Sequence, residues 1–139
     1  MAFKVHNLQW RYGKDSWAVV TGASDGIGAE YSVILARQGF NLVLISRTES
    51  KLEAVKKRAL EANSNIRIKV IVADFSGNSN IDFYRALVSK IGEIDMSLLI
   101  LNAGVLYGGL LENAKPKDMQ ATIDVNVYHP AALLTSLLP

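Results

Sequence analysis

Residues 21–28 read Thr-Gly-Ala-Ser-Asp-Gly-Ile-Gly, so Gly22, Gly26 and Gly28 stand between a short apolar run and a helical pattern. Glycine lets a chain turn sharply and lets a bulky group approach the backbone. Gly22 turns the chain out of the apolar run, and Gly26 and Gly28, flanking Ile27, remove Cβ atoms where an anion would approach. A helix opening at this point presents unpaired N–H groups and the positive end of its dipole to that anion. Ser24 adds a hydroxyl donor. Asp25 suits a phosphate cradle poorly and either faces solvent or braces the turn. The chemistry is anion binding, and its alternative is a tight packing turn.

The elements that must position this turn can be read from periodicity. "WAVVTG" is a short β-rich run ending at Gly22. After Gly26, Ile27, Tyr31, Ile34 and Leu35 fall at helical spacing, and Gly39 stops the helix with Arg37 in its last turn. "NLVLIS" is a continuous apolar strand, the pattern of a parallel sheet covered on both faces. Thr48 or Ser50 can cap the next helix; Ser50 with Glu53 forms a capping-box pattern, and Leu52, Val55 and Ala59 mark the buried stripe. "IRIKVIV" alternates Ile66, Ile68, Val70 and Val72 with Arg67 and Lys69, which suggests a strand near a sheet edge. Ile81, Tyr84, Leu87, Val88 and Ile91 form a further helical face, "SLLILNAG" a further apolar strand, and residues 118–138 a helix bent at Pro130. Strands alternating with helices predict an α/β fold: a Rossmann-type parallel sheet with right-handed crossovers and helices on both faces. Four strands in the order 3-2-1-4 place a ligand beyond their carboxyl ends, where strands 1 and 4 diverge.

Two segments of this chain carry a family resemblance. "TGASDGIG" resembles the cofactor turn of the short-chain dehydrogenases/reductases, and "LNAG" at 101–104 resembles their second signature, after the fourth strand. The resemblance covers nearly the whole chain but about the first half of the family's domain. "SDGIG" and "LVLISRT" followed by "SKL" are most similar to the branch of 17β-hydroxysteroid dehydrogenases and very-long-chain 3-oxoacyl-CoA reductases. "LNAG" departs from that branch's usual Asn-Asn-Val-Gly. The branch implies lipid metabolism, hydrophobic ketones or alcohols as substrates, and a cytoplasmic or endoplasmic reticulum location.

The second apolar strand closes on Ser46 and Arg47. An acidic residue at that point selects NAD by accepting bonds from the ribose 2′-hydroxyl. A guanidinium instead suits a 2′-phosphate, which a carboxylate would repel. The expected cofactor is therefore NADP(H), unless Arg47 is an ordinary surface charge. The resemblance implies that Asp74, beside the Phe75 backbone, lies near the adenine amino group. It further implies that Asn102, Ala103 and Gly104 floor the adenosine ribose. The competing readings are a turn or cap for Asp74 and a close-packed strand end for residues 102–104.

Hydride transfer also needs a polarising donor and a proton source. The resemblance implies an Asn, Ser, Tyr, Lys tetrad, with Tyr and Lys four apart. "IDVNVYHP" supplies Asn126, whose backbone in the family helps hold a relay water; the alternative is a helix-bending core amide. Tyr12, Tyr31, Tyr84, Tyr107 and Tyr128 are followed four residues on by Ser16, Leu35, Val88, Leu111 and Ala132, never by lysine. Residues 1–139 therefore read as one NADP-binding domain without its catalytic half. Another chain or a second copy is expected to cover the bare edge of strand 4.

The bulk numbers set limits. The chain has 139 residues, no cysteine and a formal net charge of +2, which argues against nucleic acid partners, disulfides and a thiolate-ligated metal. His6 and His129 lack metal-ligand spacing. Residues 1–15 have no signal-peptide pattern, and the uncharged stretches 96–111 and 125–139 are too short to span a bilayer. Trp10, Tyr12 and Trp17 are expected to pack. Three functions remain: an NADP-dependent oxidoreductase represented by its cofactor half, a nucleotide-binding pseudo-enzyme, or a structural subunit of a larger assembly.

Overall fold

Every residue of β1 (Trp17–Thr21) and β2 (Asn41–Ser46) is buried, whereas those of β3 (Ile68–Val72) and β4 (Met96–Ile100) are mostly half-buried. This contrast follows from their places in the sheet. The computed structural model describes residues 8–138, and in it the strands form one parallel sheet in the order β3-β2-β1-β4, as the sequence predicts. Val19 pairs with Val43 and Val20 with both Leu44 and Ile100, so the middle strands are hydrophobic on both faces. The alternating strand β3 is an edge, as expected, and β4 is the other.

Helices α2 (Gly26–Arg37) and α3 (Glu49–Ala62) cover one face of the sheet, and α4 (Ile81–Ile91) and α6 (His129–Leu137) the other. Ala18, Val20, Leu42 and Leu44 pack toward the first pair, against Leu35, Ala36, Leu52, Val55 and Ala59. Val19, Val43, Ile45 and Ile71 pack toward the second, against Tyr84, Leu87, Ile91 and Leu133. A short helix, α1 (Leu8–Tyr12), precedes β1, and α5 (Pro116–Ile123) leads toward α6. Among the described residues, no helix is long and apolar enough to cross a membrane.

Several local expectations need correction. The buried face of α2 is Gly28, Ala29, Ser32, Val33, Leu35 and Ala36, while Ile27, Tyr31 and Ile34 are exposed. Small residues bring this helix close to the sheet, and the larger apolar ones are left outside. The capping box at Ser50 does not form: Thr48 is the N-cap of α3, without a side-chain bond, and Ser50 lies inside the helix. Leu52, Val55 and Ala59 are buried as predicted. Trp17 packs in the core, but Trp10 is 90% exposed and Tyr12 is half-exposed, so only part of the aromatic arm packs. His6 lies outside the described residues.

The single bent helix expected over 118–138 is three joined segments: α5, a π-helical turn (Asp124–Tyr128) and α6. Pro130 occupies the first turn of α6, where its missing N–H costs least. The widened turn and the start of α6 hold two buried polar residues, Asp124 and His129. Asp124 accepts bonds from the Ser79 hydroxyl, the Gln120 amide (2.8 Å) and the Gly77 N–H (2.9 Å). These donors, Ser79 foremost, hold its carboxyl below the usual range. The carboxylate thereby ties the loop after β3 to α5.

His129 is 1% exposed, and its ring lies on that of Phe75 with centroids 3.5 Å apart. Among the described residues, neither ring nitrogen has a hydrogen-bond partner. Burial pushes its pKa down to about 4, so the folded chain holds this imidazole neutral. In the unfolded chain it takes a proton as pH falls through its ordinary value near 6.5. Stability contributed by the neutral ring is thus full above that pH and declines as pH drops toward 4, by about 3 kcal/mol across the window. Urea midpoints measured from pH 7.5 to 4.5 should fall steeply for the wild type and more gently for His129→Phe. Asp124 loses its own contribution only below the ordinary carboxylate range.

Candidate cofactor site

The turn after β1 is shaped by what lies beneath it. Gly22 has a φ of +65°, and a Cβ there would stand 2.8 Å from Ala103 Cα and from Asn102 Nδ2. A Cβ on Gly28 would strike the Gly22 carbonyl and the Asn102 amide. The expectation that Gly28 makes room for an anion is therefore corrected: it makes room for the protein's own backbone. Gly26 differs, with a φ of +52° and no atom within 4 Å of where a Cβ would stand, so the space above it is open.

Asn102 fastens this turn to the end of β4. Its Nδ2 donates to the carbonyls of Thr21 (3.1 Å) and Gly22 (3.2 Å). In return, the Thr21 hydroxyl accepts from the N–H groups of Asn102 (3.2 Å) and Ala103 (3.1 Å). Thr21 is a residue that motif reasoning does not reach, since its role needs β1 and β4 side by side. Beyond it, Gly104 approaches Asn126, whose side-chain amide exchanges bonds with the N–H (3.0 Å) and C=O (2.6 Å) of Val105. Asn126 is exposed, not a core amide, and braces the loop that follows β4.

At the opening of α2, Asp25 is the N-cap: its Oδ1 accepts from the Gly26 N–H at 2.8 Å. The N–H groups of Ile27 and Gly28 have no acceptor among the described residues, which leaves them free for an anion. Asp25 both faces solvent and braces the turn. Its Oδ2 pairs with Lys51 Nζ at 2.7 Å, and the Lys51 hydrogen bond and the cap bond hold its carboxyl below the usual range. The Ile27 side chain, 69% exposed, turns away into a separate groove beside Tyr31 and Ile34.

A cleft of about 440 Å3 opens above the carboxyl ends of the strands. Gly22, Ser24, Asp25, Gly26, Ser46, Arg47, Asp74, Phe75, Asn102, Ala103 and Gly104 all line it, so eleven residues named from the sequence meet in one place. Gly28 and Asn126 do not line it. The Ser24 and Ser46 hydroxyls are bonded to each other at 2.8 Å. Arg47 is exposed and has no hydrogen bond or ion pair with a described residue. Asp74 Oδ1 accepts from the Ser76 N–H at 3.0 Å, so Asp74 shapes a turn and borders the cleft at once. The Phe75 ring is buried against His129, which leaves its backbone side to the cleft. Thr48 and Lys51 line the cleft too, beyond the residues the motifs point to. The signal that could find them is spacing, since Lys51 sits in the first turn of the helix that begins after Arg47.

Substitution at the two glycines should separate fit from conformation. Gly28→Ala drives a methyl group into backbone and is expected to cost about 1–3 kcal/mol or more. Gly26→Ala meets open space and carries only left-handed strain, about 1–2 kcal/mol. Urea unfolding should rank Gly28→Ala as the more damaging, because its methyl group displaces the Asn102 amide.

Comparison with known proteins places this geometry. The family model described as short chain dehydrogenase matches residues 16–139. A very-long-chain 3-oxoacyl-CoA reductase of Coccidioides immitis is 50% identical over 94 residues, covering 68% of this chain and 27% of that protein. Among solved structures, a metagenomic short-chain oxidoreductase in complex with NADP superposes with a TM-score of 0.76 at 33% identity, covering 88% of this chain and 55% of the other. A 7beta-hydroxysteroid dehydrogenase structure superposes with a TM-score of 0.79 at 25% identity, covering 94% and 48%. The chain spans 40% or less of the length of the first curated relatives it matches and aligns to their N-terminal part. With its glycine turn, its four-strand sheet and a family match over most of its length, this chain belongs to the short-chain dehydrogenase family.

Proposed function

We propose that this chain supplies the NADP(H)-binding part of an oxidoreductase acting on a hydrophobic ketone or alcohol, of the steroid or 3-oxoacyl-CoA class. The observation that carries the reading is the cleft itself. It runs from Gly26 at the opening of α2, the residue before the unpartnered N–H groups of Ile27 and Gly28, to an unpaired guanidinium, Arg47, at the end of β2. The diphosphate of a dinucleotide suits the first, and a 2′-phosphate suits the second. Open space above Gly26 lets the diphosphate reach the backbone. Asp74 and the Phe75 backbone border the adenine end, and residues 102–104 floor the ribose. The relative in complex with NADP supports the same cofactor class.

When bound, the nicotinamide supplies or accepts the hydride. This chain's own residues bind and orient. Ser24 and Ser46 offer hydroxyls to the ribose and phosphate, and Asn126 steadies the loop after β4. No tyrosine in the sequence has a lysine four residues on, so the chain carries no Tyr-x-x-x-Lys proton donor. We therefore expect these 139 residues alone to bind cofactor without turnover; reduction of a hydrophobic ketone by the purified chain and NADPH at an ordinary enzyme rate would contradict this. The bare edge of β4, with Leu101, Leu106 and Leu110 exposed nearby, favours coverage by further polypeptide, from another chain or a second copy.

Arg47→Ala tests the cofactor assignment. A charge-assisted bond contributes about 1.5–3 kcal/mol, so NADPH affinity should fall roughly ten- to a hundredfold. NADH affinity should be unchanged. Equal preference for the two cofactors before and after the substitution, measured by fluorescence titration, would overturn the reading.

A further inference from the structure

Arg47 is not the only cation at the adenosine end of the cleft. Lys51 lines the same space, together with Ser24, Ser46 and Thr48. Its ammonium lies 2.7 Å from Asp25 Oδ2, and both side chains are more than half exposed. Asp25 already spends its other oxygen on the helix cap, so Oδ2 is free to hold a cation. The consequence is a carboxylate standing at the mouth of a site otherwise built for an anion. An exposed ion pair of this kind is weak, and a dianionic phosphate competes well for the ammonium.

We propose that Lys51 is a second specificity-determining cation for the 2′-phosphate, and that Asp25 is its resting counterion, which the phosphate displaces. This rests on the NADP(H) reading above. Arg47, planar and unpaired, is available from the start, whereas Lys51 is held in reserve about one helical turn further along the chain, in α3. The flexible stem of lysine allows its ammonium to swing between two acceptors on the same side of the cleft. Asp25 keeps its cap bond to the Gly26 N–H throughout, so the exchange needs no backbone movement. The carboxyl of Asp25, held low chiefly by its Lys51 hydrogen bond, stays ionised at neutral pH and remains a competitor there.

The test uses the full chain and two probes that differ only in one group, adenosine 2′,5′-bisphosphate and adenosine 5′-phosphate, titrated calorimetrically at low ionic strength. Lys51→Ala should weaken the bisphosphate roughly three- to tenfold, the effect being reduced by the exposure of the site. Binding of the monophosphate should stay within about twofold, as a cation reserved for the 2′-phosphate requires. Asp25→Asn keeps a capping oxygen and should tighten the bisphosphate a few-fold, and most of that gain should vanish when Lys51→Ala is added. Thermal midpoints close to wild type certify that each variant is folded. An equal effect of Lys51→Ala on both probes, or none, overturns the role of Lys51. Weaker bisphosphate binding by Asp25→Asn overturns the competition. If the wild type does not distinguish the probes, the NADP(H) reading falls and this inference with it. If it does, and only Arg47→Ala abolishes the distinction, the inference alone fails.

Discussion

The clasp between Thr21 and Asn102 is the interaction on which the cleft depends. The segments that follow β1 and β4 leave toward opposite faces of the sheet, so without a tie the glycine turn and the β4 loop would part. Here Asn102 donates to two carbonyls of the turn, while the Thr21 hydroxyl accepts from two N–H groups of the β4 loop. Gly22 and Gly28 lack side chains because the clasp occupies the space those side chains would fill. A signature usually read as a cofactor motif is thus first a packing solution. What the packing leaves open is the space over Gly26, beside two N–H groups, of Ile27 and Gly28, that have no acceptor among the described residues.

Electrostatics then divides the cleft. The end at the opening of α2 presents backbone dipoles and carries no basic side chain of its own, since Asp25 stands before the second glycine. Positive charge comes instead from the strand β2–helix α3 junction, through Arg47 and Lys51. The Asp25–Lys51 pair joins the two regions and keeps their net charge moderate when no anion is present. With exposed partners this pair adds little to stability, so its effect is on what binds rather than on what folds.

The far face of the sheet holds the loop after β3, whose Asp74 and Phe75 line the cleft. Phe75 is buried against His129, and Asp124 takes three donors from the loop and α5. A buried neutral imidazole and a buried carboxylate thereby anchor a segment that has no regular structure of its own. The π-helical turn carries Asp124, and His129 follows it as the first residue of α6, both buried.

The strands, their order, the helices α2, α3 and α4 and eleven cleft residues were legible in the chain, because apolar runs, alternation and glycine placement act locally and repeat. Leu52, Val55 and Ala59 follow the helical period and are buried for that reason alone. The face of α2 was not legible, since its closest approach to the sheet selects Gly28, Ala29 and Ser32 over the larger Ile27 and Tyr31. Nor could local pattern assign Thr21, Asp124 or His129, which meet partners between 45 and 82 positions away in the chain. Strands and helical periods were set by short-range sterics and periodicity; the packing of the glycine turn, which polar groups meet and which stay without a partner were decided only when the sheet brought distant ends together.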